Sequence, residues 1–452
     1  MRALRLELRR SLAPWAGLLL VAGAVAVLYS LSAPWWKGRE AWDAQWHTAA
    51  EWLRFLLVFL WPLTVGAGAV AGLRDHREGT RDLLATTARP TWHRGAATAG
   101  ALAICLALGY LAVFALGAAQ AVWHGGIFHL AWLPTTAVGA LAVVAGGWLG
   151  MGLARVFPSV LTPPLLAVSA MVALVFLTIS QDPGTQPEQV LPNQVVLLSP
   201  ALWAVRNVYA TVSGAVHLGQ AIWLTGLALT GFWLLVAPSA RLRVAALVPV
   251  VVGAAVALPV LPARTFVRNE AVSALVCRGP ACVARLDQSS LDELAPAAEE
   301  ALRLLRKLPD PPTSVRDAAQ PSRSLHTVPR TPDVVLIHLT GGAFEYFEPA
   351  DWRTELVAGA GTPTCFTDLD SDRATVRETA ARTATAAWFT GRLTDLHNYR
   401  FLREAAAEPA RQAWDLLRAL PPEQQLRQVS AARAVGLSCR GDQLTALTGG
   451  VL

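Results

Sequence analysis

The chain has 452 residues, of which 54% are apolar and only 15% are charged, against about 25% charged residues in a typical soluble domain. Residues 1–262 hold 16 Lys/Arg and 9 Asp/Glu, whereas residues 263–452 hold 22 and 23. The basic excess therefore belongs to the apolar part of the chain, where it indicates membrane topology and contact with anionic lipid rather than nucleic acid.

Seven segments within the first 262 residues are apolar over about 20 residues, the length that crosses a bilayer as a helix. They cover roughly residues 14–33, 52–73, 95–123, 131–153, 160–180, 218–237 and 244–262. The first follows the basic stretch MRALRLELRR, as the core of a signal peptide would, but no small-residue cleavage site stands out after it. We therefore predict that it is retained as the first of seven membrane spans.

The distribution of Lys and Arg at the span ends predicts the orientation. With the N-terminus in the cytoplasm, twelve such residues lie on the cytoplasmic side and six on the other side, including Arg264 and Arg268 just after the last span. The positive-inside rule then predicts a multi-pass protein of the plasma membrane with a cytoplasmic N-terminus. Seven spans place residues 263–452 on the extracytoplasmic side.

The interiors of the predicted spans are nearly without charge. Arg54 lies near the outer end of the second span, where we expect its long side chain to snorkel to the interface. Proton- and sodium-coupled carriers usually have ionisable residues or broken helices near the midplane of the bilayer. A secondary carrier is therefore disfavoured, and any transport must draw its energy from elsewhere.

A polar segment, residues 77–94 (REGTRDLLATTARPTWHR), separates the second and third spans. Its apolar pair Leu83 and Leu84 and its charged face are typical of a short amphipathic helix along the cytoplasmic surface. Pro90 ends that helix, because the residue before proline is disfavoured in the α conformation. On physical grounds alone, a plain loop that carries cytoplasmic positive charge is an equal alternative.

The core Glu78-Gly79-Thr80, the Leu83-Leu84 step and Pro90 before the third span resemble the coupling helix of type-2 ABC transporter permeases. The resemblance covers about residues 1–240 and includes an amphipathic elbow helix at residues 1–13, six spans and a long segment, 181–217, before the sixth span. It implies that a coupling helix at about residues 76–88 docks on an ATP-binding subunit. The contact residues it implies are Glu78, Gly79, Thr80, Arg81, Leu83 and Leu84.

The resemblance also implies the partners. Neither Lys37 nor Lys307 stands in the Gly-Lys-Ser/Thr context of a Walker A motif, so ATP and Mg are expected on a separate ATP-binding cassette subunit. A second permease copy or a paralogue is required. The chain is then no enzyme by itself, and as a family member it is expected to export a lipid, peptide or drug-like substrate. The alternative is a membrane-anchored surface protein whose outer domain binds or processes a ligand.

After the seventh span, at 244–262, residues 263–452 have the pattern of a small soluble α+β domain. We predict a strand over Thr265–Val276 with a hairpin partner over Cys282–Leu286, a helix over 290–307, a buried strand over Asp333–Leu339 and helices from Ser371 onward. The protease motif HExxH and the esterase motif GxSxG are absent from the sequence. We therefore assign no catalytic residue to this domain.

Four of the five cysteines lie in this domain, and the fifth, Cys105, lies in the third span. An even number confined to the part predicted outside the cell is typical of disulfides in an oxidising compartment. Of the three possible pairings we favour Cys277–Cys282, around the turn Arg-Gly-Pro-Ala, with Cys365–Cys439 as a long-range bridge. Four thiols in a cytoplasmic domain are the alternative, and a zinc site is disfavoured because no histidine is near the first pair.

Overall fold

The computed structural model of the chain describes residues 2–30, 45–78, 91–179, 191–202, 208–319, 329–337, 339, 352–365, 373–396 and 403–452. Their contacts divide the chain into two units. The helical unit comprises Met1–Arg206 and Ala210–Val267, and the C-terminal unit comprises Asn207–Tyr209 and Arg268–Leu452.

The helical unit consists mainly of long apolar helices. In chain order its elements are α1 (Arg2–Arg10), α2 (Ala13–Ser30), α3 (Trp46–Gly72), α4 (Arg74–Arg77), α5 (Thr91–Trp123), α6 (Trp132–Val156), α7 (Thr162–Ile179), α8 (Asn193–Val196), β1 (Ala210–Val212), α9 (Gly214–Val236), α10 (Ala240–Ala245), α11 (Val248–Val260) and β2 (Phe266–Arg268). Strands β1 and β2 pair with each other as a two-stranded sheet.

Within the described residues, five helical segments are long and apolar enough to cross a membrane. They are Trp46–Gly72, Trp92–Trp123, Trp132–Val156, Gly214–Val236 and Ala240–Val260. Two further apolar helices, Ala13–Leu28 and Thr162–Leu177, are shorter. The chain is thus a mostly helical polytopic membrane protein, as predicted, while the full set of seven spans stays a prediction.

Helix α6 lies at the centre of the bundle and meets α3 and α9 through glycines. A Cβ atom added to Gly68 of α3 would lie 2.0 Å from the carbonyl oxygen of Gly147, and one added to Gly152 would lie 2.2 Å from that of Gly231 in α9. Helix backbones in membranes approach this closely only where small residues face each other. The glycines therefore fix the positions of α3 and α9 against α6.

The C-terminal unit combines a small sheet with helices. Its elements are α12 (Glu270–Ser273), β3 (Leu275–Arg278), β4 (Ala281–Ala284), a 3₁₀ helix (Arg285–Ser290), α13 (Leu291–Leu305), β5 (Ser314–Asp317), β6 (Val334–Ile337), α14 (Trp352–Val357), a 3₁₀ turn (Ala358–Ala360), α15 (Arg373–Thr390), α16 (Arg403–Arg418), α17 (Pro422–Ser438) and α18 (Gln443–Thr448). The strand order is β3-β4-β5-β6, with β3 antiparallel to β4 and the other pairs parallel. The predicted α+β class is confirmed.

The structure confirms most of the elements predicted for this unit and corrects one. The predicted helix appears as α13, with its leucine and alanine face buried, and the predicted buried strand appears as β6. The predicted strand over Thr265–Val276 is wrong, because α12 interrupts it between β2 and β3. The cause is Asn269, whose side chain accepts a hydrogen bond from the amide of Ala271 and so begins a helical turn.

Both favoured cysteine pairs form disulfides. Cys277 and Cys282 are directly opposite each other in the β3-β4 hairpin, with their Cα atoms 4.0 Å apart. Cys365 and Cys439 are 74 residues apart in sequence and 5.5 Å apart between Cα atoms. Cys105 is half-buried in α5. The first bridge ties one hairpin, whereas the second fastens the end of α17 to the segment after α14.

The glycine contact between α3 and α6 gives the first testable prediction. Gly68→Ala should lower the free energy of unfolding by about 1–3 kcal/mol, because the added methyl group meets backbone that no rotamer change can relieve. Gly100→Ala in α5 is the matched control, since its Cβ would meet only Leu4 Cδ1 at an ordinary 3.7 Å. Thermal unfolding in one detergent measures both, and equal melting temperatures for the two variants would contradict this packing.

Candidate functional site

The predicted coupling segment is described only at its beginning. Glu78 follows α4 and is exposed, and its Oε1 atom lies 3.2 Å from Arg74 Nε. Arg74 Nη1 lies 3.2 Å from Glu7 Oε2 of α1, so one arginine connects the N-terminal helix with the start of the segment. The other predicted contact residues lie outside the described residues: Gly79, Thr80, Arg81, Leu83 and Leu84. Their role stays a prediction.

A second group of polar residues, which we did not predict as a site, lies toward the opposite end of α3. His47, Glu51 and Arg54 recur at intervals of four and three residues and therefore share one face of the helix. Their exposed fractions are 1%, 4% and 0%. The prediction that Arg54 snorkels to the interface is wrong, since its side chain is completely buried and hydrogen-bonded inside the protein.

Arg54 connects α3 to three other parts of the helical unit. Its Nε and Nη2 atoms donate to the carbonyl oxygen of Pro200 at 2.9 and 2.7 Å. Nη2 also donates to Gln220 Oε1 of α9 at 2.7 Å, and Nη1 lies 3.5 Å from the carbonyl oxygen of Thr135 in α6. Hydrogen bonds from an ionised donor are the stronger kind. The arginine therefore holds two helices and the segment 191–202 together.

Two side chains of α9 complete this arrangement. Gln220 Nε2 donates to the carbonyl oxygens of Leu197 and Ser199 at 3.0 and 2.9 Å, and Trp223 Nε1 donates to that of Leu198 at 2.9 Å. With Pro200, the carbonyl groups of four consecutive residues, 197–200, are thus held by Arg54, Gln220 and Trp223. We call these three side chains the carbonyl clamp. Irregular backbone inside a membrane protein needs such donors, because buried peptide groups must be hydrogen-bonded.

Titratable side chains lie beside the clamp. His47 Nε2 and Glu51 Oε1 are 2.7 Å apart, and His217 Nε2 lies 3.5 Å from the hydroxyl of Thr135. His129, in the connection between α5 and α6, lies with its Nε2 atom 2.9 Å from Gln45 Oε1 and its ring centroid 5.5 Å from that of His47. Burial, together with the nearby His47, lowers the pKa of His129 from its ordinary 6.5 to about 4. The connection thus holds its imidazole in the neutral form.

Aromatic rings surround the same end of the bundle. Trp132 stacks on Phe114 with ring centroids 5.0 Å apart, and Trp46 contacts Trp132 at 5.8 Å and Phe128 at 5.0 Å. Tryptophan is enriched where membrane proteins meet the interface between lipid and water. This aromatic layer at the start of α3 and α6 is thus of the kind found at a membrane interface.

The polar side chain of Arg54, at this end of α3, is connected by hydrogen bonds to backbone and amide oxygens. In the described ranges, no three His, Cys, Asp or Glu side chains are arranged to hold a metal ion. The acceptors around Arg54 are carbonyl and amide oxygens, so its charge is solvated by dipoles. Such a group stabilises one position of the chain and loses that stabilisation when the carbonyls move away.

The sequence contained a signal for this site. The predicted second span began at residue 52, which left His47 and Glu51 in a loop, whereas α3 begins at Trp46. A helix that begins there places all three polar residues on one face. Their partners Gln220 and Pro200 lie far away in sequence, so only the tertiary structure brings them together.

No family model, no curated protein and no solved structure matches this chain. Its function is therefore inferred from its own residues and geometry.

Removing the charged member of the clamp gives a second prediction. In Arg54→Ala, Pro200 and Gln220 lose their buried donor, and each unsatisfied buried acceptor costs about 1–3 kcal/mol. We expect a clear loss of thermal stability in detergent and faster amide exchange over 197–202. Arg241→Ala, an exposed position of α10, should change stability by no more than about 0.5 kcal/mol. Similar melting curves for the two variants would show that the clamp contributes nothing.

The half-buried histidine of the α5–α6 connection, His129, gives a third prediction. Because the pKa of His129 is about 4 in the folded protein and 6.5 otherwise, the unfolded chain binds more protons between these pH values. Stability should therefore fall as the pH is lowered through 6.5 toward 4. His129→Gln should flatten this dependence, while His124→Gln, an exposed position of the same connection, should not. Unfolding scans at several pH values check this, and parallel profiles for all three proteins would refute it.

Proposed function

We propose that this chain is the transmembrane permease subunit of an ATP-driven ABC transporter, which exports a lipid, peptide or drug-like substrate. ATP and Mg bind to a separate ATP-binding cassette subunit, and a second permease copy or a paralogue completes the assembly. One observation carries the proposal: α3, together with the short α4 that follows it, connects the carbonyl clamp to the beginning of the predicted coupling segment.

The dimensions of α3 suit a role in transmission. Arg54 and Arg74 are 20 residues apart, which corresponds to about 30 Å along a helix. That distance equals the thickness of the hydrocarbon core of a bilayer. Helix α3 packs on α6 through glycines and ends at Gly72, one residue before α4, which begins at Arg74. A displacement of α4 at Arg74 is therefore carried through α3 to the clamp.

The Arg74 end has the parts that a docking site for a cytoplasmic subunit needs. Leu4 and Leu8 of α1 pack on the bundle, whereas Arg5, Leu6 and Arg9 are exposed, as in a helix that lies along a lipid surface. The Arg74–Glu7 and Arg74–Glu78 pairs join this elbow helix to the coupling segment. Exposed pairs of this kind are weak, about 0–1 kcal/mol each, so they guide the segment without locking it.

The proposed cycle follows from these contacts. Closure of the two ATP-binding subunits pushes on residues 76–88, and α3 shifts against α6. Arg54 then withdraws from the carbonyl of Pro200, which releases the segment 191–202 and opens a path for the substrate to the outside. The alternation is a rigid-body movement between two packed states. Energy comes from ATP, in keeping with the charged residues of the described spans, which lie toward the helix ends.

The same proposal places the N-terminus in the cytoplasm and the C-terminal unit outside the plasma membrane. The two disulfides of that unit support an extracytoplasmic location, because disulfides persist in oxidising compartments. The membrane-anchored surface protein is the competing function. It would need no second subunit, so recruitment of an ATP-binding subunit distinguishes the two.

The coupling contact gives a fourth prediction. In co-expression with an ATP-binding subunit encoded nearby, changing Leu83 and Leu84 together to Ser should reduce co-purification at least tenfold, because the apolar step that docks is lost. The control changes Val160 and Leu161 to Ser, an exposed apolar pair in the connection between α6 and α7. Equal recovery of the ATP-binding subunit with both variants would exclude the coupling role, and recovery with neither variant nor wild type would favour the surface protein.

Sidedness gives a fifth prediction. On intact cells, a membrane-impermeant reductant followed by an impermeant maleimide should label cysteines of the C-terminal unit, because that unit faces outward. A Cys277→Ser/Cys282→Ser/Cys365→Ser/Cys439→Ser variant is the control and should give no signal. Labelling of the wild type only after cell lysis would reverse the proposed orientation.

A further inference from the structure

The C-terminal unit contains a piece of chain from before the sixth predicted span. Val208 and Tyr209 belong to this unit although its remaining residues begin at Arg268. Tyr209 is completely buried, and its backbone oxygen accepts a hydrogen bond from the amide of Asn269 at 2.8 Å. The unit is therefore tied to the chain at two places, one on each side of the segment that holds α9 to α11.

The side chain of Tyr209 is anchored by two acids. Its hydroxyl is hydrogen-bonded to Asp287 Oδ2 at 2.6 Å and to Asp317 Oδ2 at 3.1 Å, and both aspartates are 1% exposed. Asp317 is itself fixed, since its Oδ1 accepts from the amide of Ala319 at 3.2 Å. The anchor thus joins the ring to the end of β5 and to the 3₁₀ helix that follows β4.

An apolar cluster packs around the anchored ring. It consists of Val208, Tyr209, Ala284 and Ala319, with Leu286 at its margin. Burying an aromatic ring together with a satisfied hydroxyl is a strong local attachment. Residues 208 and 209 therefore move with the sheet of the C-terminal unit rather than as a loose linker.

The chain leads directly from this anchor to the clamp. Tyr209 is followed by β1 and then by α9, which begins at Gly214. Gln220, which holds the carbonyls of Leu197 and Ser199, is only 11 residues after Tyr209. A shift of the anchor is passed through this short stretch to the first turns of α9.

We propose that the C-terminal unit regulates the permease in cis, with Tyr209 as the positioning residue through which it sets the carbonyl clamp. As regulation of transport, this inference rests on the proposed function. Whatever binds or rearranges the sheet between Asp287 and Asp317 would displace Tyr209 and loosen the hold of Gln220 on residues 197–200. The extra unit is then a control element and not a passive addition.

Amide exchange of the full-length protein in lipid nanodiscs tests the inference. Tyr209→Phe removes the hydroxyl and should raise the exchange rates of amides in 195–202 and 214–220 about tenfold. Thr385→Val is the matched control, since it removes a buried hydroxyl that accepts from the amide of Gly359 elsewhere in the same unit. It should accelerate exchange only around Gly359. Faster exchange in Tyr209→Phe confined to residues 208–209 and 281–319 would overturn the inference.

A second variant covers failure to fold. If Tyr209→Phe loses the protease resistance of the C-terminal unit, Asp287→Asn replaces it, because it keeps an acceptor oxygen for the phenol and weakens the bond. Asp287→Asn should accelerate exchange at the same amides by a smaller factor. Unchanged exchange rates for the amides of residues 195–202 would again overturn the inference.

The exchange measurement needs no ATP-binding subunit, so it is independent of the proposed function. With such a subunit bound, Tyr209→Phe should also alter the ATPase rate of the complex at least twofold, while Thr385→Val should not. Faster exchange without any recruited ATP-binding subunit would keep the mechanical link and reject the transport function. If the complex hydrolyses ATP but Tyr209→Phe changes neither the exchange rates nor the ATPase rate, the transport function is kept and the mechanical link is rejected.

Discussion

Four backbone carbonyls, residues 197–200, must be hydrogen-bonded although they belong to an irregular segment inside a helical membrane bundle. Arg54, Gln220 and Trp223 meet this requirement from two helices, and the positions of α3 and α9 follow from it. The glycine contacts to α6 bring both helices close enough for these side chains to reach. Because the clamp consists of hydrogen bonds to movable backbone, it is stable in one arrangement and is lost in another.

The regions at the two ends of α3 are held by interactions of different strength. Just beyond one end, Arg74 of α4 forms weak ion pairs with Glu7 of α1 and with Glu78, and the other end is held by the buried hydrogen bonds of Arg54. The weak ion pairs of Arg74 suit a region that binds a partner, and the buried hydrogen bonds of Arg54 suit a gate. In the regulation proposed above, the C-terminal unit acts on the same clamp through α9, which follows Tyr209 in the chain. In the proposed mechanism, the ATP-binding subunit and the C-terminal unit therefore both act on the carbonyl groups of residues 197–200.

Features set by local chemistry were predictable from the sequence. The apolar segments, the leucine face of α13, the buried strand β6 and the Cys277–Cys282 disulfide follow from composition and spacing over short distances. The burial of Arg54 was not predictable, because its acceptor Pro200 is 146 residues away. The interruption of the strand by α12 depended on one capping contact of Asn269. The anchor of Tyr209 joins residues 78 and 108 positions apart, which no periodicity records.

The central claim is that engagement of an ATP-binding subunit opens the carbonyl clamp. Ser199→Cys in a Cys105→Ala background reports on this directly, since Ser199 is completely buried while the clamp is closed. In nanodiscs with the ATP-binding subunit, ATP and vanadate, a small maleimide should label this cysteine at least tenfold faster than without nucleotide. Val160→Cys, which is already exposed, should label equally in both conditions. If nucleotide leaves the labelling of Ser199→Cys unchanged while ATP hydrolysis is arrested, the clamp is not the gate of this protein.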